Sequence, residues 1–277
     1  MPPLEEFLFL AANGRELFCA RRVPDAPRAA AVFCHPFGEE KKNAYRPFVD
    51  LGRLLAAKRV ASVNFDYTGC GDSSGEMDGA TLEMWIEDTL AVIESARALA
   101  PAGAPVLLAG LRLGASIAAL AALRAGVERL VLWQPVVNGR ADFAAELRRT
   151  LIKQMVTNGA ARATRGQLLA ELEQGQGRLD LDGFPFTGAL YKGIASVNLL
   201  ALELSARHTV SLIQIAHTPN PLPDTQRLAQ AWSERGARVT TDAVVAPPLW
   251  ARLDPVDVSS LLHLTADRVE AMLEAGP

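Results

Sequence analysis

Residues 105–125 constrain the fold of this chain more than any other stretch. The apolar run PVLLA (105–109) reads as a buried strand, and the Ala-rich stretch to Ala125 reads as a helix. Only Gly110-Leu111-Arg112-Leu113-Gly114 joins them. A strand that enters a helix through so short a turn must bend sharply. Glycine at both ends of the turn lets the backbone bend and pack closely against its neighbours. The spacing is that of a G-x-S-x-G nucleophile elbow, with arginine at the central position.

Elsewhere, short apolar runs alternate with longer helical patterns, the signature of a mostly parallel sheet and an α/β fold. Residues 6–10 and 16–23 read as two strands across Asn13-Gly14, a strong hairpin signal. Further strands are expected at 29–34, 60–65, 105–109, 129–133, 209–216 and 238–245. Helices are expected at 44–58, from Thr81 to Leu99, to Ala125, at 224–235 and at 256–274, the last beginning near Asp254-Pro255. The region 138–207 breaks the alternation. It reads as helical, carries Arg148, Arg149 and Lys153, and ends in a Gly-rich stretch around Gly175, Gly177 and Gly183. The expected plan is an α/β-hydrolase fold: an eight-stranded sheet with helices on both faces. Its core would be 1–137 with 208–277, and 138–207 would be a helical lid inserted after strand six.

Composition narrows the function classes. The formal net charge is −3, which gives no basic face for nucleic acid. No stretch reaches the apolar length of a membrane span. The N-terminus MPPLEEFLFL carries acids where a signal peptide carries bases, so a cytoplasmic protein is expected. Cys19, Cys34 and Cys70 show neither zinc spacing nor CxxC, and read as reduced thiols. No cofactor is expected. Asp66, Asp72, Glu39 and Glu40 are metal-type ligands, but no spacing among them argues for a metal.

Arginine cannot act as a nucleophile. It stays protonated and only donates hydrogen bonds, though it can grip a carboxylate, phosphate or sulfate. Ser116, two residues past the elbow, would point away from the turn and reads as packing. The fold's triad needs an acid after strand six or seven and a histidine after strand eight. His217 and Asp224 follow strand seven, but Pro247-Pro248-Leu249-Trp250 follows strand eight, and His263 falls inside the last helix. Ligands of open α/β sheets bind at the carboxyl ends of the strands. Those ends carry His35, Asp66, Tyr67, Arg112, Gln134, His217 and Trp250, with Glu39 and Glu40 close by. Such a set suits a small polar or anionic ligand. A plainer reading has Arg112 pairing with Glu39, Glu40 or Asp66, and His35 and Asp66 satisfying loop backbone. The N–H groups of Leu113 and Phe37 could form an oxyanion hole. Ser73 and Ser74 read as turn residues, and Cys70 lacks a partner histidine.

Several motifs stand together: His35-Pro36-Phe37 with Glu39-Glu40, Gly69-Cys70-Gly71-Asp72-Ser73-Ser74-Gly75, and Gly110-Leu111-Arg112-Leu113-Gly114-Ala115. Leu132-Trp133-Gln134-Pro135-Val136-Val137 and Pro247-Pro248-Leu249-Trp250 complete the set. It resembles the second-type hydrolase associated with the exosortase A system, an α/β-hydrolase-fold family encoded beside bacterial exopolysaccharide and protein-sorting genes. The resemblance spans residues 35 to 250. It implies the fold, a hydrolase label and an arginine elbow shared across the family. Two functions follow as expectations. One is hydrolysis of a small ester, thioester or acyl-sugar, with His35, Glu40 or Asp66 activating water. The other is an inactive pseudohydrolase that binds an anionic ligand or a protein partner. In both, Arg112, Leu113, Phe37, Glu39, Gln134, His217 and Trp250 would meet the ligand.

Overall fold

A computed structural model describes residues 3–158, 164–175, 177–181, 183–252, 254 and 256–275. The side chain of Lys153 and the whole of Pro255 lie outside the described residues. The chain opens with β1 (Leu4–Ala12) and β2 (Arg15–Val23), an antiparallel hairpin. Its turn holds Asn13 at φ 53° and Gly14 at φ 74°, the paired left-handed conformation that matches strand twist. Next come β3 (Ala29–Cys34), α1 (Glu39–Ala57), β4 (Val60–Phe65), α2 (Leu82–Arg97), β5 (Val106–Leu111), α3 (Leu113–Ala125) and β6 (Arg129–Trp133). After β6 come α4 (Gly139–Asn158), α5 (Arg165–Gln174), β7 (Arg178–Leu181), β8 (Phe184–Thr187) and α6 (Gly188–Ala195). The chain closes with β9 (Thr209–Ala216), α7 (Pro223–Glu234), β10 (Arg238–Val245) and α8 (Ser259–Glu274).

The main sheet has eight strands in the order β1-β2-β4-β3-β5-β6-β9-β10. Pairing is parallel from β4 through β10, and only β1-β2 and β2-β4 are antiparallel. This is the α/β-hydrolase plan. The central strands are covered on both faces, so every residue of β3, β4 and β5 is buried; β3 and β5 read as unbroken apolar runs, and β4 also buries Ser62 and Asn64. Alternation along β3 splits the core in two. Ala30, Val32 and Cys34 pack with Trp85, Ile93 and Ile117 of α2 and α3. Ala31 and Phe33 pack with Phe48, Leu51 and Leu55 of α1 and with Leu261 and Val269 of α8. Full burial of each large apolar side chain contributes roughly 1.5–3 kcal/mol.

Two expectations are corrected. Helix α1 begins at Glu39, not at residue 44. Glu39 and Glu40 form its first turn, where the helix dipole favours acids, and this carries Glu40 onto a rigid element. The stretch between β6 and β9 is also not helical throughout. Its Gly-rich end forms the β7-β8 hairpin, with Gly183 at φ 89° in the turn and its N–H donated to Asp180 Oδ1 at 2.7 Å. Among the described residues no helix is long and apolar enough to cross a membrane.

Candidate functional site

The turn between β5 and α3 is a strained elbow. Arg112 adopts φ 55°, ψ −123°, a conformation that costs a non-glycine residue energy. The flanking glycines are required by space. A Cβ on Gly114 would stand 2.2 Å from the Cys34 carbonyl oxygen and 2.4 Å from that of His35, and one on Gly110 would stand 2.7 Å from the Ala115 backbone. The strain is held by hydrogen bonds. Arg112 N–H donates to Trp133 O at 3.0 Å, and Arg112 O accepts from Ala115 N–H at 3.1 Å. Ser116 is fully buried and donates to Val136 O at 2.8 Å, so it serves packing as the sequence suggested.

The Arg112 side chain is enclosed. Its Nε donates to Glu40 Oε1 at 3.3 Å, and its Nη2 donates to Asp142 Oδ1 at 2.6 Å. Its guanidinium carbon lies 5.3 Å from the centre of the Trp250 ring. The residue is 9% exposed. Burial opposes its charge, but the Glu40 and Asp142 carboxylates more than offset this and hold the guanidinium above its usual range. Asp142 comes from the first turn of α4, thirty residues along the chain, and nothing local in the sequence marks it. Of the partners anticipated for Arg112, Glu40 is the one that binds it; Asp66 is engaged elsewhere. Burial raises the Glu40 carboxyl to about 7, with Asp142 and Glu146 adding to the shift and Arg112 opposing it.

Above this cluster lies a cavity of about 370 Å³. Phe37, Leu113, Val136, Phe143, Leu181, Ile194 and Trp250 give it an apolar body. Glu39, Glu40, Asn43, Asp142, Glu146, Arg149, Thr150 and Arg252 supply its polar groups. Arg112 itself does not line it; Glu40, Asp142 and Trp250 stand between. The Leu113 and Phe37 N–H groups have no acceptor among the described residues, and both residues line the cavity. Both residues anticipated for an oxyanion hole thus stand at the cavity wall.

Four anticipated site residues lie elsewhere. His35 is 1% exposed, packed 5.6 Å from the Tyr45 ring and 4.7 Å from that of Phe48, and neither ring nitrogen has a partner among the described residues. Burial, with Lys41 adding, lowers its pKa to about 3. Asp66 forms an ion pair with Lys41 of α1 and accepts from Asp72 N–H at 2.9 Å, so it fastens a loop. Gln134, at φ 44°, accepts from Ile215 N–H at 3.0 Å and ties β6 to β9. His217 is exposed beyond the end of β9. His208, His217 and His263 are likewise absent from the cavity wall, so no histidine lines it. Ser73 and Ser74 accept from Phe18 and Glu16 N–H, fixing their loop to β2. Burial pushes all three cysteine thiols up to about 12, away from the reactive thiolate. Among the described residues no cluster of metal-type ligands forms.

The model of the serine aminopeptidase S33 family matches residues 25–176, more than half of the chain. The chain belongs to that α/β-hydrolase family. No curated protein matches it. Among solved structures, Est1E from Butyrivibrio proteoclasticus with ferulic acid bound is 19% identical at a TM-score of 0.66, over 96% of this chain and 98% of that one. The Pyrococcus furiosus esterase PF2001 is 13% identical at a TM-score of 0.67, over 98% and 90%. XC6422 from Xanthomonas campestris, an α/β serine hydrolase without a lid, is 17% identical at a TM-score of 0.59, over 100% and 99%. At these identities the likeness establishes the fold. Arg112 lies inside the matched span, and its strained turn between β5 and α3 is where this fold sets its nucleophile.

Proposed function

We propose that this chain, with arginine in place of the elbow serine, binds a small acyl-type ligand without forming an acyl-enzyme. One observation carries the reading: at the nucleophile position stands a guanidinium held by Glu40 and Asp142, and no histidine lines the cavity beside it. Covalent acyl transfer needs a nucleophile and a base within hydrogen-bond reach, and neither is supplied. What remains is an apolar cavity with two free N–H donors, which suits a ligand with an apolar body and a carbonyl oxygen. The ferulic acid held by Est1E and the esterase character of PF2001 point to acyl compounds as the class. In this reading residues 138–207 form a lid over a core of 1–137 and 208–277, since Asp142, Phe143, Leu181 and Ile194 cover the cavity. The resemblance to the exosortase-associated hydrolases supports a small ester, thioester or acyl-sugar of an exopolysaccharide pathway as the ligand, in a cytoplasmic setting.

A second reading rests on Glu40. Its carboxyl lines the cavity and is raised to about 7, as a general base near neutral pH should be. In that reading Glu40 activates water against an ester, thioester or acyl-sugar held at the Leu113 and Phe37 N–H groups. The deciding experiment is intact-mass analysis after exposure to a small fluorophosphonate, paired with hydrolysis assays on acetyl and butyryl esters, thioesters and acetylated sugars. No adduct and no turnover support the binding role. Turnover without an adduct, lost in Glu40→Gln, supports the second reading. A stoichiometric adduct mapped to a serine overturns both.

A further inference from the structure

The cavity has an acidic wall, and the Arg112 guanidinium stands behind Glu40, Asp142 and Trp250 of that wall, so the two have opposite consequences for a ligand's charge. Glu39, Glu40, Asp142 and Glu146 line it against Arg149 and Arg252. Arg149 is already ion-paired with Glu146 on α4, and Arg252 is exposed at the rim. The Arg112 guanidinium has Glu40 on Nε, Asp142 on Nη2 and the Trp250 ring beside it. The Asp142 contact, at 2.6 Å, has the length of a strong charge-assisted bond. A carboxylate entering the cavity therefore meets like charges at its wall and finds the Arg112 guanidinium behind them already claimed.

We infer that Asp142 is the specificity-determining residue of this cavity: it fills the anion seat of Arg112 with the protein's own carboxylate, so the site accepts uncharged acyl ligands and turns away the matching carboxylates. This rests on the reading of the cavity as a ligand site. An uncharged carbonyl oxygen needs only the Leu113 and Phe37 N–H donors, which the ion pairs leave free. A carboxylate gains a charge-assisted partner only by displacing Asp142. Discrimination arises here from an occupied seat and like-charge repulsion, not from a missing contact.

The test uses a matched pair of probes, 3-phenylpropanamide and 3-phenylpropanoate, titrated into the full chain and followed by protein NMR shifts at the cavity residues. In the native protein the amide binds at least roughly 10-fold tighter than the carboxylate, the size of effect one charge-assisted contact supports. Asp142→Asn keeps the side-chain shape and removes the charge. Carboxylate affinity rises by roughly 10-fold or more in that variant while amide affinity stays within about 3-fold. Asp142→Ala behaves the same way. If the amide binds but the carboxylate binds as well, or if Asp142→Asn and Asp142→Ala both leave the ratio unchanged, the inference fails while the ligand-site reading stands. If neither probe shifts a cavity residue in any of the folded proteins, the ligand-site reading fails and the inference falls with it.

Discussion

Arg112 lies over the ring of Trp250, its guanidinium carbon 5.3 Å from the ring centre. The pairing joins the two places from which this fold draws its chemistry. Arg112 stands at the elbow, where the nucleophile belongs, and Trp250 stands in the loop after the last strand, where the histidine belongs. A desolvated cation–π contact contributes about 2 kcal/mol. The site thus has a packed arrangement of its own, in which both positions are used for cohesion.

Restoring serine alone should therefore not restore a serine hydrolase. In Arg112→Ser the hydroxyl would sit on the elbow beside an indole, with no histidine to take its proton. Intact-mass analysis after fluorophosphonate treatment should show no adduct on Arg112→Ser. Stoichiometric labelling at that serine would mean that a base reaches the elbow from elsewhere in the chain.

Arg112 should also matter for stability. Arg112→Ala leaves Glu40 and Asp142 facing each other without their shared cation, at a site with Glu40 only 24% and Asp142 33% exposed. Removing one partner of a largely buried ion pair costs roughly 3–5 kcal/mol, and the partial exposure here reduces this to about 2 kcal/mol. Adding Glu40→Gln to Arg112→Ala should recover part of the loss. Urea unfolding of the two single variants and the double variant measures this, and strictly additive effects would contradict the shared-cation arrangement.

Glu40 makes stability depend on pH in a definite direction. Its folded carboxyl is raised from 4.5 to about 7, so the folded protein binds this proton more tightly than the unfolded chain. The resulting stabilisation is complete below pH 4.5 and is lost as pH rises through 7. Glu40→Gln stays neutral throughout. Its stability relative to native should therefore rise by about 1–3 kcal/mol between pH 5 and pH 8. A flat difference across that range, in parallel unfolding curves, would place the Glu40 carboxyl in the ordinary range.

His35 should show the mirror-image behaviour. Its folded pKa, lowered from 6.5 to about 3, means that the unfolded chain binds the proton more tightly. The stability tied to its neutral form is present above pH 6.5 and is lost as pH falls toward 3. His35→Phe preserves a ring against Tyr45 and Phe48 and removes two unpartnered nitrogens. Thermal unfolding should find the variant more stable by about 1 kcal/mol at neutral pH, with a larger gain at pH 5. A variant less stable than native at pH 5 would show that His35 has a partner the packing does not reveal.

The sequence by itself determined the layers, the succession of strands and helices along the chain, and the elbow. Strands buried on both faces must be largely apolar, helices that cover them must be apolar on one stripe, and a turn this tight must carry glycine at Gly110 and Gly114. Those are local requirements, so local sequence records them. That Arg112 occupies the elbow and Trp250 follows the last strand was legible for the same reason, because the fold ties each place to a fixed point along the chain. Only the tertiary structure decided what surrounds Arg112. Asp142 reads as an ordinary charge in a helical stretch, and becomes its partner because the packing of α4 brings it over the elbow. Lys41 likewise takes Asp66 out of the site once α1 begins at Glu39 rather than five residues later. His35 sits at a strand end, where ligands bind, yet turns into the packing under α1 between Tyr45 and Phe48. The charge state of the site follows from burial and from which carboxylate meets which cation. Both depend on distances between segments far apart in sequence, and no local pattern fixes them.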